Sequence, residues 1–376
     1  MEGRTRLLVP EGWDSPVPPK EPAFYNPNSA LARDLSVSIY RAATELAGAK
    51  RMADSLSSLG ARGIRVAVEV DGIELVMLND LNPRALELAR RSAELNGVSD
   101  KVEFFNLECC EFLDSLGKPG SRPDIVDIDP FGSPAPYLDC GLRSVRNGGL
   151  LSVTATDTPV LCGKYPKLAL ARYYGLPLRC EYMHEVGIRL LYGAIARVAT
   201  RLGLGIEPVY SQSTRHYMRA YSIVRKGMKE VGRTIDQIGY LMHCDSCGFR
   251  ELGPEPLASC RLCGSKYRVA GPLWIGGLFS ADYVERALKL SVEDYMRRAR
   301  KLLSIAVEEV GKPATYFDLD NWARKARRSS PSSSRVIELL RGMGFLASRT
   351  SLNPKGIRTD ATPRELIRAI SSADES

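Results

Sequence analysis

The stretch Ile73-Glu74-Leu75-Val76-Met77-Leu78-Asn79-Asp80-Leu81-Asn82-Pro83 passes from strand to helix within eleven residues. A short apolar run ends in an acid. Asn82, able to cap a helix, then stands before a proline at the first helical position. The helix so begun reads to about 96 and stops at Asn96-Gly97, a pair suited to a left-handed terminus. The same alternation recurs on both sides. Strands are expected near 50–56, 73–79, 102–106, 124–129 and 149–155, with helices near 61–70, 83–96, 108–116 and 135–146. Strands alternating with helices predict a doubly wound parallel sheet covered on both faces.

Further out the pattern changes. Residues 1–27 are rich in proline and irregular. Asn28 or Ser29 caps a helix to about Ala47, with Leu31, Leu35, Ile39 and Ala43 on one face. After a long amphipathic helix at about 184–203, two runs alternate with strand period, near 206–213 and 217–225. With no helix between them they should form an antiparallel hairpin at the sheet edge.

The 376 residues are 44% hydrophobic and 26% charged, the composition of a globular chain of two or three domains. There is no apolar run of the ~18 residues a membrane span needs, and Met1 to Lys20 lack an apolar signal core. Lys and Arg total 52 against 44 acids, a net +8. Of the bases 38 are Arg, which binds phosphate bidentately and stacks on bases. From Asp282 to Ser376 there are 18 bases and 13 acids, so the basicity is concentrated at the C-terminus.

Nine cysteines do not suit a disulfide framework. Cys244-Asp245-Ser246-Cys247 and Cys260-Arg261-Leu262-Cys263 form two knuckles separated by twelve residues, each followed by glycine. This spacing places four thiolates around Zn²⁺ in a closed, structural site; a redox pair fits poorly, since neither CxxC opens a helix. The other five (Cys109, Cys110, Cys140, Cys162 and Cys180) are expected mostly as buried, reduced residues, which with zinc implies an intracellular, cytoplasmic protein.

In doubly wound sheets ligands bind at the carboxyl ends of the strands. After the first strand comes a small-residue turn, Asp54 to Gly63, without a dinucleotide or P-loop fingerprint. Asp80 follows the second strand, where an acid that bonds ribose hydroxyls belongs. Glu108-Cys109 follow the third. After the fourth comes Asp127-Ile128-Asp129-Pro130-Phe131-Gly132-Ser133-Pro134. Asp129-Pro130-Phe131 resembles the [DNS]-P-P-[YF] element of S-adenosylmethionine-dependent amino methyltransferases. A base amine is a poor nucleophile because its lone pair is delocalised into the ring. A carboxylate that accepts its N–H draws the nitrogen towards tetrahedral geometry, a proline carbonyl takes the other N–H, and the aromatic ring stacks on a flipped base.

Over nearly its whole length the chain resembles the archaeal and eukaryotic tRNA (guanine-N2)-dimethyltransferase family, which modifies guanosine 26 of tRNA. The resemblance is carried by Phe24-Tyr25-Asn26-Pro27 with Arg33-Asp34, the Ser57-to-Arg65 turn, Asn79-Asp80, Asp127 to Pro134, and Val153-Thr154-Ala155-Thr156-Asp157. Further along it is carried by Leu161-Cys162-Gly163, His184-Glu185-Val186-Gly187, Gly271-Pro272-Leu273-Trp274, and Asn353-Pro354-Lys355-Gly356-Ile357-Arg358-Thr359-Asp360. It implies a class I methyltransferase (Rossmann-like) fold and S-adenosyl-L-methionine as cofactor, contacted by Arg33, Arg62, Asp80, Glu108 and Cys109. Asp80 would hold the ribose, Glu108 and the Cys109 backbone the adenine end, and Arg33 the methionine carboxylate. Asp129, Pro130 and Phe131 would be catalytic, with Phe24 on the aromatic rim. The position of Cys109 is often alanine in such pockets, and the zinc knuckles are not universal in the family.

The expected organisation is a methyltransferase domain over 1–235, a zinc module of Cys244, Cys247, Cys260 and Cys263 over 236–280, and a basic, winged-helix-like α+β domain over 281–376 that binds tRNA. In the last, helices are expected at about 293–310, 318–327 and 331–342, the third begun by Ser330-Pro331, and a hairpin at 344–350 with 357–362. Arg324, Lys325, Arg327, Arg328, Arg335 and Arg341 would meet phosphates; Tyr316, Phe317 and Trp322 would pack. Two other readings remain open from the residues: a methyltransferase for adenine N6 or cytosine N4, disfavoured by Phe131 in place of a second proline, and a non-enzymatic zinc and winged-helix nucleic-acid binder.

Overall fold

The computed structural model describes residues 1–15, 21–118, 120–214 and 216–374. The irregular segment and the signal-peptide reading fall partly on 16–20, outside the described residues.

Helix α1 (Ala30–Ala47) ends at Gly48 in the left-handed conformation. Then β1 (Arg51–Asp54), α2 (Ala61–Glu69), β2 (Leu75–Asn79), α3 (Pro83–Leu95), β3 (Val102–Phe105), α4 (Cys109–Leu116), β4 (Ile125–Ile128), α5 (Leu138–Ser144) and β5 (Gly149–Ala155) alternate as the pattern requires. Asn82 caps α3 through its side chain, with proline at the start of the helix. Helices α6 (Thr158–Leu161), α7 (Pro166–Tyr173) and α8 (Met183–Arg201) lead to β6 (Leu204–Ser213) and β7 (Met218–Lys226). The sheet order is β3-β2-β1-β4-β5-β7-β6, with β1 to β5 parallel and β7 antiparallel to both neighbours. The expected edge hairpin is present, and its second strand lies inside its first. Helices pack on both faces around two apolar cores.

Helix α9 (Met228–Ile235) precedes the three-stranded sheet β8 (Ile238–His243), β9 (Arg250–Gly253) and β10 (Arg268–Trp274), which carries the cysteine knuckles. Then α10 (Ala281–Leu290) and α11 (Arg297–Glu309) follow. The sequence reading groups them with the C-terminal unit, but Tyr283, Val284, Ala287, Leu303 and Ala306 join the core beneath α1. The C-terminal unit has its own core around Trp322, Val336, Ile357 and Leu366. It comprises β11 (Phe317–Asp318), α12 (Leu319–Lys325), α13 (Ser333–Gly342), β12 (Ala347–Thr350), β13 (Asn353–Thr359) and α14 (Pro363–Asp374), with sheet order β11-β13-β12.

Three expectations are corrected. Helix α13 starts after Ser332, whose hydroxyl accepts from Arg335 N, and not at Ser330-Pro331. Cys110 and Cys140 are joined in a disulfide, so those two thiols are not reduced. Cys162 and Cys180 are only partly buried, because each sits at the margin of the main core and not inside it.

Candidate active site

The carboxyl ends of β1, β2 and β4 bring a row of acids to one edge. The turn after β1 is held by neighbouring strands: Ser55 N and Oγ donate to Asp127 O at 3.1 and 2.8 Å, and Ser57 N to Asn79 O at 2.9 Å. Gly60 has a φ of +74°, and a Cβ there would stand 2.9 Å from Leu78 Cδ1, so the turn admits no side chain at that position. Asp80 closes the turn, accepting from Ser58 N at 2.7 Å and from Asn82 N at 2.9 Å. Glu108 caps α4, accepting from Cys110 N at 2.7 Å and Glu111 N at 3.2 Å. Cys109 is buried, and burial pushes its thiol up to about 11, so it is a neutral wall at neutral pH.

Behind the motif of β4 lies a buried charge network. Asp127 is fully enclosed and takes hydrogen bonds from Tyr40 and Arg219, with Arg62 Nε 3.3 Å away. Burial opposes its ionisation, but Arg219 and Arg62 outweigh it and hold its pKa below the usual carboxylate range. Arg62 also donates to Ser36 Oγ at 2.6 Å and pairs with Asp129, to which Arg219 comes within 3.9 Å. Asp54, at the end of β1, is pushed up to about 8 by burial and by the charge of Asp127. With Asp54 protonated, Arg62 and Arg219 balance Asp127 and Asp129. The arrangement fixes Asp129 from behind and leaves it partly exposed.

Pro130 and Phe131 follow. The loop is tied to the end of β5 by Gly132 N to Thr156 Oγ1 at 2.6 Å and Thr156 N to Gly132 O at 2.9 Å. Ser133 reaches Tyr173 at 3.0 Å, which donates to Asp157 at 2.5 Å, so Asp157 anchors the loop. Phe131 is 74% exposed and meets Phe24 edge-to-face, with centroids 5.0 Å apart. Phe24 is positioned by Ser58 Oγ, which donates to its carbonyl at 2.9 Å. A jaw of two rings is thus built on the loop that follows Asp129.

The structure brings Asp129, Pro130, Phe131, Phe24 and Arg62 together, and Asp80, Glu108 and Cys109 line the adjoining strand ends. Arg62 is turned towards the carboxylates. Arg33 is buried against Glu2 at 2.5 Å and Asn26 O at 3.0 Å, while Arg65 joins Glu2, Asp34 and Glu69. Burial disfavours the Glu2 charge, but Arg33 prevails and brings it down to about 2. Sequence reasoning missed Asp54, Asp127, Arg219 and Tyr40 as site residues. The available signal was a pair of acids, Asp54 and Asp127, at positions in short apolar strands where an unpaired charge is costly.

The four cysteines lie apart from this edge. Their sulfur atoms are all within 4.8 Å of one another, with Cys244–Cys263 at 3.4 Å and Cys247–Cys260 at 3.7 Å. Four thiolates about 2.3 Å from one Zn²⁺ stand about 3.8 Å apart, so the cluster fits that ion. Each knuckle is closed the same way, Gly248 N to Cys244 O and Gly264 N to Cys260 O, both at 2.8 Å, with both glycines left-handed. A Cβ on Gly248 would meet the Trp322 ring at 2.5 Å, so the knuckle packs directly on the C-terminal unit.

A mostly parallel sheet of this order, with acids at its carboxyl edge and Asp-Pro-Phe after β4, defines a class I methyltransferase. The chain belongs to the family of N2,N2-dimethylguanosine tRNA methyltransferases, whose model matches residues 3–371. It is 38% identical over 367 residues to a tRNA (guanine(26)-N(2))-dimethyltransferase of Methanothermobacter thermautotrophicus, covering 96% of this chain and 95% of that protein. It is likewise 38% identical over 370 residues to the enzyme of that name from Methanopyrus kandleri, covering 97% and 94%. The solved structure of Trm1 from Pyrococcus horikoshii with S-adenosyl-L-methionine is similar over 98% of both chains, with 31% identity and a TM-score of 0.85. Among the described residues no helix is long and apolar enough to cross a membrane.

Proposed function

We propose that this protein is a tRNA (guanine(26)-N2)-dimethyltransferase that transfers methyl groups from S-adenosyl-L-methionine to the exocyclic N2 of guanosine 26. The observation that carries this reading is Asp129, paired with Arg62 and followed in the same loop by Phe131 against Phe24, in a chain whose residues 3–371 match the family.

The bound cofactor supplies an electrophilic methyl group on a sulfonium sulfur. Asp129 accepts an N–H of the amine and frees its lone pair; the Pro130 carbonyl takes the second N–H in the first transfer. Phe131, with Phe24 at its edge, offers a stacking surface for a base taken out of its stack. As the N–C bond forms, the S–C bond would break with its electron pair left on the sulfur as a neutral thioether, and the amine proton passes to Asp129 and on to water. Arg62, with Arg219 3.9 Å away, keeps that carboxylate oriented. Asp80, the Ser55-to-Gly60 turn, Glu108 and the Cys109 backbone are the groups assigned to the cofactor. Arg33 is assigned to its carboxylate end, which requires it to share its charge with Glu2. Zn²⁺ at Cys244, Cys247, Cys260 and Cys263 is structural. This reading assigns the enzyme to the cytoplasm.

The test is incubation with S-adenosyl-L-methionine and unmodified transcripts bearing guanine or adenine at position 26, followed by nucleoside mass spectrometry. Dimethylguanosine from the guanine transcript alone is expected. Methyladenosine or methylcytidine would overturn the assignment in favour of another amino methyltransferase.

A further inference from the structure

Two cavities run end to end between the methyltransferase layer and the C-terminal unit. One, of about 500 Å³, is bounded by α1, α11, the start of α13 and β12. The other, of about 420 Å³, lies between the β12–β13 hairpin and the end of β6. Leu302, Ser351 and Pro354 border both, so they form one groove.

Its halves differ in chemistry. The first carries Arg298, Lys301 and Arg349, with Ser333 and Ser334 of the α13 N-terminus, and no acid lines it. Arg349 donates to Ser334 Oγ at 2.7 Å. Among the described residues none of the three cations has a carboxylate partner. Three unpaired cations beside hydroxyls and the positive end of a ten-residue helix suit phosphate. The second half carries one acid, Glu181, paired with Arg250 at 2.8 Å, and is otherwise lined by neutral groups such as Ser211, Gln212, Ser213 and Thr214. Gln212 is 3% exposed; its amide donates to Tyr217 OH at 2.6 Å, while Oε1 has no donor. Such an acceptor suits the N–H of a base.

The groove also leads to the chemistry. Gln212 pairs in register with Arg219, whose guanidinium bonds Asp127 and reaches Asp129 at 3.9 Å. Another cleft, about 650 Å³ around Gly205 and Trp274, lies instead at the opposite end of β6.

We infer that this groove is the path of the tRNA strand next to the methylated guanosine: Arg298, Lys301 and Arg349 take backbone phosphate, and the Gln212 end takes a neighbouring nucleoside. This rests on the tRNA reading above and moves the main phosphate contacts away from the arginine cluster at 324–341. Within that cluster Arg341 bonds Ala347 O at 3.0 Å and Arg335 lies 3.6 Å from Glu338.

The test uses the full chain and a tRNA transcript, with affinity measured by fluorescence anisotropy over a salt series. Arg298→Ala, Lys301→Ala and Arg349→Ala should each weaken binding about tenfold. Each should also lower the slope of log affinity against log salt by about one. Cofactor affinity should stay as in the wild type, as should affinity in Arg233→Ala at the far cleft. Unchanged tRNA affinity and slope in all three variants would overturn the groove even if the wild type makes dimethylguanosine. Weakened binding with no methylation by the wild type would support the groove while removing the functional reading.

Discussion

Glu185 of α8 and Arg358 of β13 meet at 3.0 Å, both buried, across 173 residues of chain. Arg358 also pairs with Glu309 at 2.7 Å, and Glu185 with Arg189 at 2.8 Å, while Thr315 N donates to Glu185 at 2.8 Å. Two motifs outside the Asp-Pro-Phe loop, His184-Glu185-Val186-Gly187 and Asn353 to Asp360, therefore form the joint between catalytic layer and C-terminal unit. Removing one member leaves a buried uncompensated charge. Arg358→Met should cost about 3–5 kcal/mol in denaturant unfolding. A loss under 1 kcal/mol would show that the joint bears little load.

The same joint sets an acid limit. Burial disfavours the Glu185 charge, but Arg358 and Arg189 outweigh it and bring it from 4.5 to about 2. A carboxylate with a depressed folded pKa contributes stability above its unfolded pKa, and that contribution is lost as pH falls through the folded value. Unfolding free energy should therefore drop by about 3 kcal/mol between pH 4.5 and 2 through this residue. Glu185→Gln should flatten that part of the profile; an unchanged slope would exclude Glu185 as its source.

Asp129→Asn keeps the shape of the side chain but weakens acceptance of the amine proton. Methyl transfer should fall about 10²–10⁴-fold with cofactor affinity retained. Phe131→Ala removes an exposed ring, so stability should change by less than about 0.5 kcal/mol while turnover of tRNA falls. Wild-type turnover in either variant would remove that residue from the catalytic element.

Asp80 joins the turn after β1 to the start of α3 by two backbone hydrogen bonds. Asp80→Ala should weaken S-adenosyl-L-methionine binding about tenfold or more, read by calorimetry. Retained affinity would confine Asp80 to holding the turn.

Metal analysis should find one zinc per chain, lost in Cys260→Ser. Because the Gly248 knuckle lies on Trp322, release of the ion should also change tryptophan fluorescence. A metal-free wild type that is folded and active would remove the site.

The expected strands β1–β5 end within two residues of their sequence positions because apolar runs, caps and stop signals are local. The knuckles were equally plain, since four thiolates for one ion are fixed by spacing. What the sequence hid depends on partners far away. Glu2 looks like one acid in an irregular leader, yet it neutralises Arg33 and Arg65. Arg219 looks like one charge in an edge strand, yet it stabilises Asp127. Arg62 sits where a cofactor contact was expected, and only the fold shows that both carboxylates lie in its reach. The pairing of Cys110 with Cys140 likewise follows from α4 lying beside α5, which no spacing announces.

The joint cemented by Glu185, Arg358 and Glu309 has a consequence for how the substrate is taken. Buried ion pairs resist separation, so closure about the substrate is not expected to hinge at this joint. The work of deformation then falls on the RNA, which must unstack its own guanosine and present it to a fixed anvil. Malleable transcripts should be modified fastest, and the enzyme would serve as a gauge of how readily each RNA yields.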